Sequence, residues 1–207
     1  TFGQGGYSKK ILDHKENKVI AFDRDKSVIP ETENLKKRFG KRFKFINSTF
    51  KEINKIKKNN KDIRAVIFDL GCSTRQILDY SKGISFNAKG KLNMRMGINN
   101  FSADEVISQL SEEHLKKIFK YFGDERNANL IAKKIALERK KYKIKTENLV
   151  RIIESCYNKK HTKTHKATKI FQSLRIFVNQ EISQLIHGLI NSFKIIPLGG
   201  CIVVVTF

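Results

Sequence analysis

Acidic residues are in short supply. Only 20 Asp and Glu stand against 42 Lys and Arg in 207 residues, leaving a net charge of +22 and a pI near 10.0. A field of that sign attracts polyphosphate and raises encounter rates with nucleic acid. Part of the excess reflects bias toward lysine, which outnumbers arginine 32 to 10. No single helical stretch sets its lysines against a strong apolar face, so a membrane-surface role is not favoured. Cysteine is scarce as well. Cys72, Cys156 and Cys201 are far apart and form no CxxC pair, which argues against a disulfide or zinc framework and suits a reducing cytoplasm. No apolar run reaches the length of a membrane span, no secretory leader is visible, and the chain does not begin with methionine. Hydrophobic residues still make up 40% of the chain, enough for a real core.

The first part of the chain alternates between strand and helix patterns. A glycine-rich opening, Gly3-Gln4-Gly5-Gly6, leads straight into a helix expected over Ser8 to Asp13. The run Lys18-Val19-Ile20-Ala21-Phe22 reads as a strand ending at Asp23-Arg24-Asp25. A helix is expected from Glu31 to Phe39, a strand over Phe43 to Ile46, and a lysine-rich helix near 51–59. Ala65-Val66-Ile67-Phe68 is the clearest buried strand, and it ends at Asp69-Leu70-Gly71. This alternation predicts a parallel sheet covered on both faces, with ligands at the carboxyl ends of its strands.

From about Ser102 only helices are expected: Ser111 to Gly123, Glu125 to Lys141 and Thr146 to Tyr157. A basic linker, Asn158 to Lys166, precedes one long helix from about Ala167 to Phe193. Pro197-Leu198-Gly199-Gly200 then breaks the pattern, and Cys201 to Val205 returns to the sheet. The layout predicts a helical insertion within an α/β domain.

The glycine loop lacks the third glycine of GxGxxG, because Ser8 occupies that place, and the chain has no GK[ST] of a P-loop. Asp23 sharpens the signal. A carboxylate closing the next strand can accept hydrogen bonds from both hydroxyls of a ribose; its structural alternative is a cap or a pair with Arg24. Phe50 follows the Phe43–Ile46 strand, where an aromatic ring packs against an adenine or simply joins the core. Asp69, followed by Gly71, Ser73 and Gln76, stands where reacting atoms meet in a nucleotide-dependent transferase. His161 and His165 sit in HTKTH, which lacks the glutamate of a zinc-protease motif, so no metal site is expected. No Ser-His-Asp or Cys-His set has supporting context.

These stretches together resemble a known family. Asp69 to Asp79, Gly83-Ile84-Ser85-Phe86, Leu92-Asn93-Met94-Arg95-Met96, Tyr121 to Arg126 and Ala167 to Asn179 are similar, in order, to the signature of the bacterial ribosomal RNA small-subunit methyltransferase H family, also called MraW. Gly5-Gly6-Tyr7-Ser8 and Asp23-Arg24-Asp25 fit its cofactor motifs. The resemblance implies a Rossmann-like α/β sheet with an inserted all-helical domain, dependent on S-adenosylmethionine and methylating N4 of a cytidine in the decoding region of 16S rRNA. The domains it implies are 1–97, a first part of the methyltransferase domain; 98–170, a helical substrate-binding insertion; and 171–207, an incomplete second part.

Carried over by position, the cofactor contacts would be Gly5, Gly6, Tyr7, Asp23, Phe50, Asp69 and Gln76. Departures are Tyr7 where histidine is usual, Thr74-Arg75 for Ser-Pro, Asn93 for aspartate, and Lys166 and Leu198 for prolines. The family also begins before the glycine loop and continues past Phe207, so the chain resembles an interior fragment. The partner implied is 16S rRNA or the small subunit in the cytoplasm; monomer and homodimer both stay open.

Cytosine's exocyclic amine is a poor nucleophile, and an acceptor beside it helps the nitrogen pyramidalise and takes its proton. Asp69 is the candidate catalytic residue. Ser73, Phe86 and Arg95 are candidates for binding the RNA: Ser73, with Gln76, orients the base, Phe86 stacks on a base or fills the core, and Arg95 holds a phosphate or guides the target nucleotide. A DNA amino-methyltransferase and a non-catalytic RNA-binding module are the alternatives. The first would need a Pro-Pro-aromatic motif that Asp69-Leu70-Gly71-Cys72 lacks.

Overall fold

A computed structural model describes residues 1–56, 62–97, 101–157 and 164–206. The chain divides into two compact units, Thr1–Ser73 with Glu181–Phe207, and Thr74–Gln180.

In the first unit four short strands form: β1 (Val19–Asp23), β2 (Phe43–Asn47), β3 (Ala65–Asp69) and β4 (Cys201–Val205). All four were expected, but they do not pair as one continuous sheet. β1 pairs in parallel with β2, setting Asp23 opposite Asn47, and β3 pairs in parallel with β4, setting Asp69 opposite Val205. Each pair uses one edge of β1 or β3. Among the described residues the other edges meet the first residues of the chain: Phe2 N–H donates to the Phe22 carbonyl at 2.8 Å, and the Thr1 amino group to the Ile67 carbonyl at 3.2 Å. Residues 1 and 2 therefore stand between the two pairs.

Period-two alternation along β1 decides the layering. Ala21 buries into a cluster with Phe2, Leu12, Val28, Leu35 and Phe43, beneath the helices α1 (Gly6–Leu12) and α2 (Ile29–Phe39). Phe22 points into a second cluster with Ile53, Ile56, Val66 and Phe68. Leu185 and Leu189 of the last helix cover that second face. Pro30 at the start of α2 is suited to a position whose N–H would have no helical partner. The lysine-rich segment forms a short 3₁₀ helix, Phe50–Lys55, rather than the α-helix expected there; residues 57–59 of that expectation lie outside the described residues.

The second unit is helical among its described residues. Its elements are α3 (Thr74–Leu78), α4 (Ala103–Gln109), α5 (Glu112–Gly123), α6 (Ala128–Glu138), α7 (Thr146–Glu154) and α8 (Thr168–Val178). Ser102 opens α4 with a reciprocal cap, accepting from Glu105 N–H while its own N–H donates to the Glu105 carboxylate at 2.6 Å. Ser111 caps α5 by accepting from His114 N–H. Ile107, Leu115, Phe119, Ile131, Ile135, Leu149, Ile153 and Ile170 are fully enclosed.

The long helix expected from Ala167 to Phe193 is in fact two, α8 and α9 (Glu181–Phe193). Asn179 ends α8 with φ −92° and ψ 0°, and Gln180 turns left-handed at φ 51°. The apolar spacing carries across this break, and neither glycine nor proline marks it. Asn179 leaves the helix because its carboxamide bonds elsewhere, to the backbone of Met94 and Met96.

Candidate functional site

At the chain's opening, Phe2 to Gly5 fold into a tight turn. Gly5 N–H donates to the Phe2 carbonyl at 2.8 Å, with Gly3 at φ 56° and Gly5 at φ 77°. Gly5 is fixed twice over: its backbone is left-handed, and a Cβ there would lie 2.9 Å from the Phe2 ring. The turn delivers Gly3 N–H to Oδ2 of Asp23 at 2.8 Å. Oδ1 of the same carboxylate accepts from Asp25 N–H at 2.9 Å. Asn47, on the adjacent strand end, donates its Nδ2 to the Asp23 carbonyl at 2.9 Å.

Asp23 is 9% exposed. Burial pushes its carboxyl above the ordinary aspartate value, and the two backbone N–H groups pull the other way. Each oxygen holds one N–H and retains a lone pair, so the carboxylate fits a pair of vicinal hydroxyls. Gly6 and Tyr7 open α1, and both are exposed, Tyr7 by 44%.

Asp69 closes β3 as Asp23 closes β1. Its backbone N–H donates to Oγ1 of Thr1 at 3.2 Å. Thr1, Phe2 and Gly3 thus bond successively to the ends of β3 and β1, which puts Asp69 and Asp23 on either side of one three-residue segment. The Asp69 carboxylate is half-buried, and desolvation raises its pKa. Its side chain accepts no hydrogen bond from the described residues. A carboxylate partly shielded from water, with no donor on it among the described residues, is a good acceptor for an incoming N–H.

Phe50 begins the 3₁₀ helix after β2. Its ring meets Phe68 edge to face at 5.4 Å and packs against the second core cluster. Ser73, partly buried, ends the first segment of this unit.

Gln76, Phe86 and Arg95 belong to the helical unit. Gln76 lies partly buried in α3. Phe86 stacks one face on His165, centroids 4.3 Å apart at 7°, and meets Phe171 edge to face at 6.3 Å. Arg95 is exposed and donates Nε to Oδ1 of Asn93 at 2.8 Å. His165 also sits 3.4 Å from a Glu154 carboxylate oxygen, while His161 lies outside the described residues. Among the described residues, no three His, Cys, Asp or Glu side chains gather as a metal site.

Sequence reasoning passed over two residues. Asn47 fixes the strand end beside Asp23, and the register Asp23↔Asn47 is invisible until the strands pair. Asn179 is fully buried at the end of an apolar helix, and an asparagine in that setting is itself a signal.

The MraW methylase family matches residues 1–207. The ribosomal RNA small subunit methyltransferase H of Orientia tsutsugamushi (strain Ikeda) is 40% identical over 212 residues, covering all of this chain and 68% of that protein. The proteins of the same name from Maricaulis maris and Rickettsia akari are each 38% identical, again over the whole chain and over 63% and 68% of their own lengths. The chain thus spans about two thirds of the curated relatives it matches. With the glycine turn, Asp23 and Asp69 at one strand-end rim and the match running from first residue to last, the chain belongs to the MraW methylase family.

Proposed function

We propose that this protein methylates N4 of a cytidine in the decoding region of 16S rRNA, using S-adenosylmethionine, in the cytoplasm. The observation that carries the reading is the buried Asp23 carboxylate, held by Gly3 and Asp25 with one acceptor site left on each oxygen. That arrangement suits the two hydroxyls of an adenosyl ribose. The whole-chain family match and the names of the relatives support the methyl transfer and its rRNA target. Among the described residues no helix is long and apolar enough to cross a membrane.

In this reading Gly5, Gly6 and Tyr7 hold the methionyl end through backbone groups, and Phe50 packs on the adenine. When bound, S-adenosylmethionine supplies a methyl group activated by a sulfonium. Asp69 would orient the cytosine amine by accepting one of its hydrogens and would take the proton that the nitrogen gives up. Its raised pKa makes it a better proton acceptor than a free aspartate. Ser73 positions the base, which must leave its stacked context to react. The helical unit, as an inserted domain, and its share of the +22 charge grip the RNA.

The test offers small ribosomal subunits and duplex DNA to the intact protein with a radiolabelled methyl donor. Label on the rRNA supports the reading. Label on DNA alone, or donor that fails to bind in a calorimeter, overturns it.

A further inference from the structure

Resting on that reading, we propose that Lys91–Met96 is a phosphodiester-binding element of the helical unit, and that Asn179 is the positioning residue that presents its Arg95 to the RNA backbone.

The element is folded by hydrogen bonds from distant chain. Asn179 is wholly buried, yet its carboxamide reaches back to this loop twice: Nδ2 donates to the Met94 carbonyl at 2.8 Å, and Oδ1 accepts from Met96 N–H at 2.9 Å. Nδ2 also donates to Arg175 on its own helix at 2.8 Å. Between the clamped positions Met94 adopts φ 57°, a left-handed conformation rare for a bulky side chain, and its N–H donates to Lys82 at 2.6 Å. Gly83 is pressed against the same loop; a Cβ there would lie 2.5 Å from the Lys91 carbonyl.

The consequence is an in-out-in alternation. Met94 and Met96 are buried at 0% and 6%, and Arg95 between them is driven outward. Its guanidinium is then steadied at Nε by Asn93, whose own carbonyl accepts from Ala103 N–H at 3.0 Å. Glu105 is the acid within electrostatic reach, and its Oε2 is already engaged by Ser102 N–H and Oγ at 2.6 and 2.7 Å. An uncommon backbone conformation persists only where its surroundings over-determine it, and such places are often ligand clamps. What this one yields is a single arginine with a fixed fork, the geometry that matches a phosphate oxygen pair. Exposed Lys91 rides on the same loop. Methionines alone would have filled the core without any clamp; Asn179 serves the residue between them.

The experiment is filter binding of small ribosomal subunits at several salt concentrations by wild type, Arg95→Ala, Asn179→Ala and the double variant. Arg95→Ala is expected to weaken binding roughly tenfold or more and to flatten the dependence of log K on log salt by about 0.7–0.9. Asn179→Ala should do likewise, with the double variant no weaker than Arg95→Ala alone. Asn93→Ala, which releases the guanidinium without opening the core, gives the same cycle if Asn179→Ala does not fold. Unchanged affinity and slope in Arg95→Ala, or losses that multiply in the double variants, overturn the proposal. Methylation of subunits by wild type is measured alongside, so that failure of the function itself is read separately.

Discussion

Gly3 and Asp23, twenty residues apart, are joined by a 2.8 Å hydrogen bond from backbone N–H to carboxylate Oδ2. That bond closes the glycine turn onto the end of β1 and leaves the carboxylate half-satisfied. The remaining acceptor capacity is what a nucleoside needs, and its removal is the simplest perturbation available.

Asp23→Ala is expected to weaken S-adenosylmethionine binding by two charge-assisted hydrogen bonds, each on the order of 1.5–3 kcal/mol. That corresponds to a loss of at least about 100-fold, read by isothermal titration calorimetry. Asp23→Asn keeps one acceptor and should lie between the variant and wild type.

Donor affinity should fall on acidification. Burial raises the Asp23 pKa above its ordinary value of 3.8, so the group gains a proton earlier than a free aspartate would. A protonated oxygen donates instead of accepting, so affinity is full well above the folded pKa and declines as pH falls through it. Titrations from about pH 8 to pH 4 should show that decline in wild type and a flatter profile in Asp23→Asn.

Asp69→Asn should separate chemistry from stability. Loss of a general base costs typically 10²–10⁴-fold in rate, and kcat should fall by about that much. The stability effect has the opposite sign. A carboxyl with a raised folded pKa binds protons more tightly when native, so its contribution to stability declines as pH rises from the unfolded value through the folded one. At neutral pH the neutral amide should therefore melt no lower than wild type, measured by scanning calorimetry.

Gly5→Ala should cost stability by two routes, a left-handed φ and a methyl 2.9 Å from the Phe2 ring. Strain of this kind is worth about 1–3 kcal/mol, expected as a Tm several degrees lower. Because the turn carries Gly3 to Asp23, donor affinity should fall with it.

The strands were legible because each is a short apolar run ending at a polar residue, and the helices of the second unit because their stripes and caps are local. Asp23 was legible for the same reason: it ends a strand just after a glycine turn. What the sequence hid was pairing. β1 and β3 each bond outward, to β2 and β4, and among the described residues Thr1 and Phe2 meet their inner edges, Phe2 at Phe22 and Thr1 across 66 residues at Ile67. The break at Asn179 was hidden because its cause lies 83 to 85 residues upstream, at Met94 and Met96, where the side chain finds its partners. Phe50 shows the limit of composition. One phenylalanine among fifteen carries no mark distinguishing adenine from core, and its packing on Phe68 is a fact of the fold alone.

Nucleoside mass spectrometry of small subunits after incubation with the intact protein and S-adenosylmethionine is the most direct measurement. The account predicts N4-methylcytidine in a decoding-region fragment, absent when Asp69→Ala or Asp23→Ala replaces wild type. Subunits that gain no methyl group at a cytidine N4, or gain it equally with both variants, would contradict it.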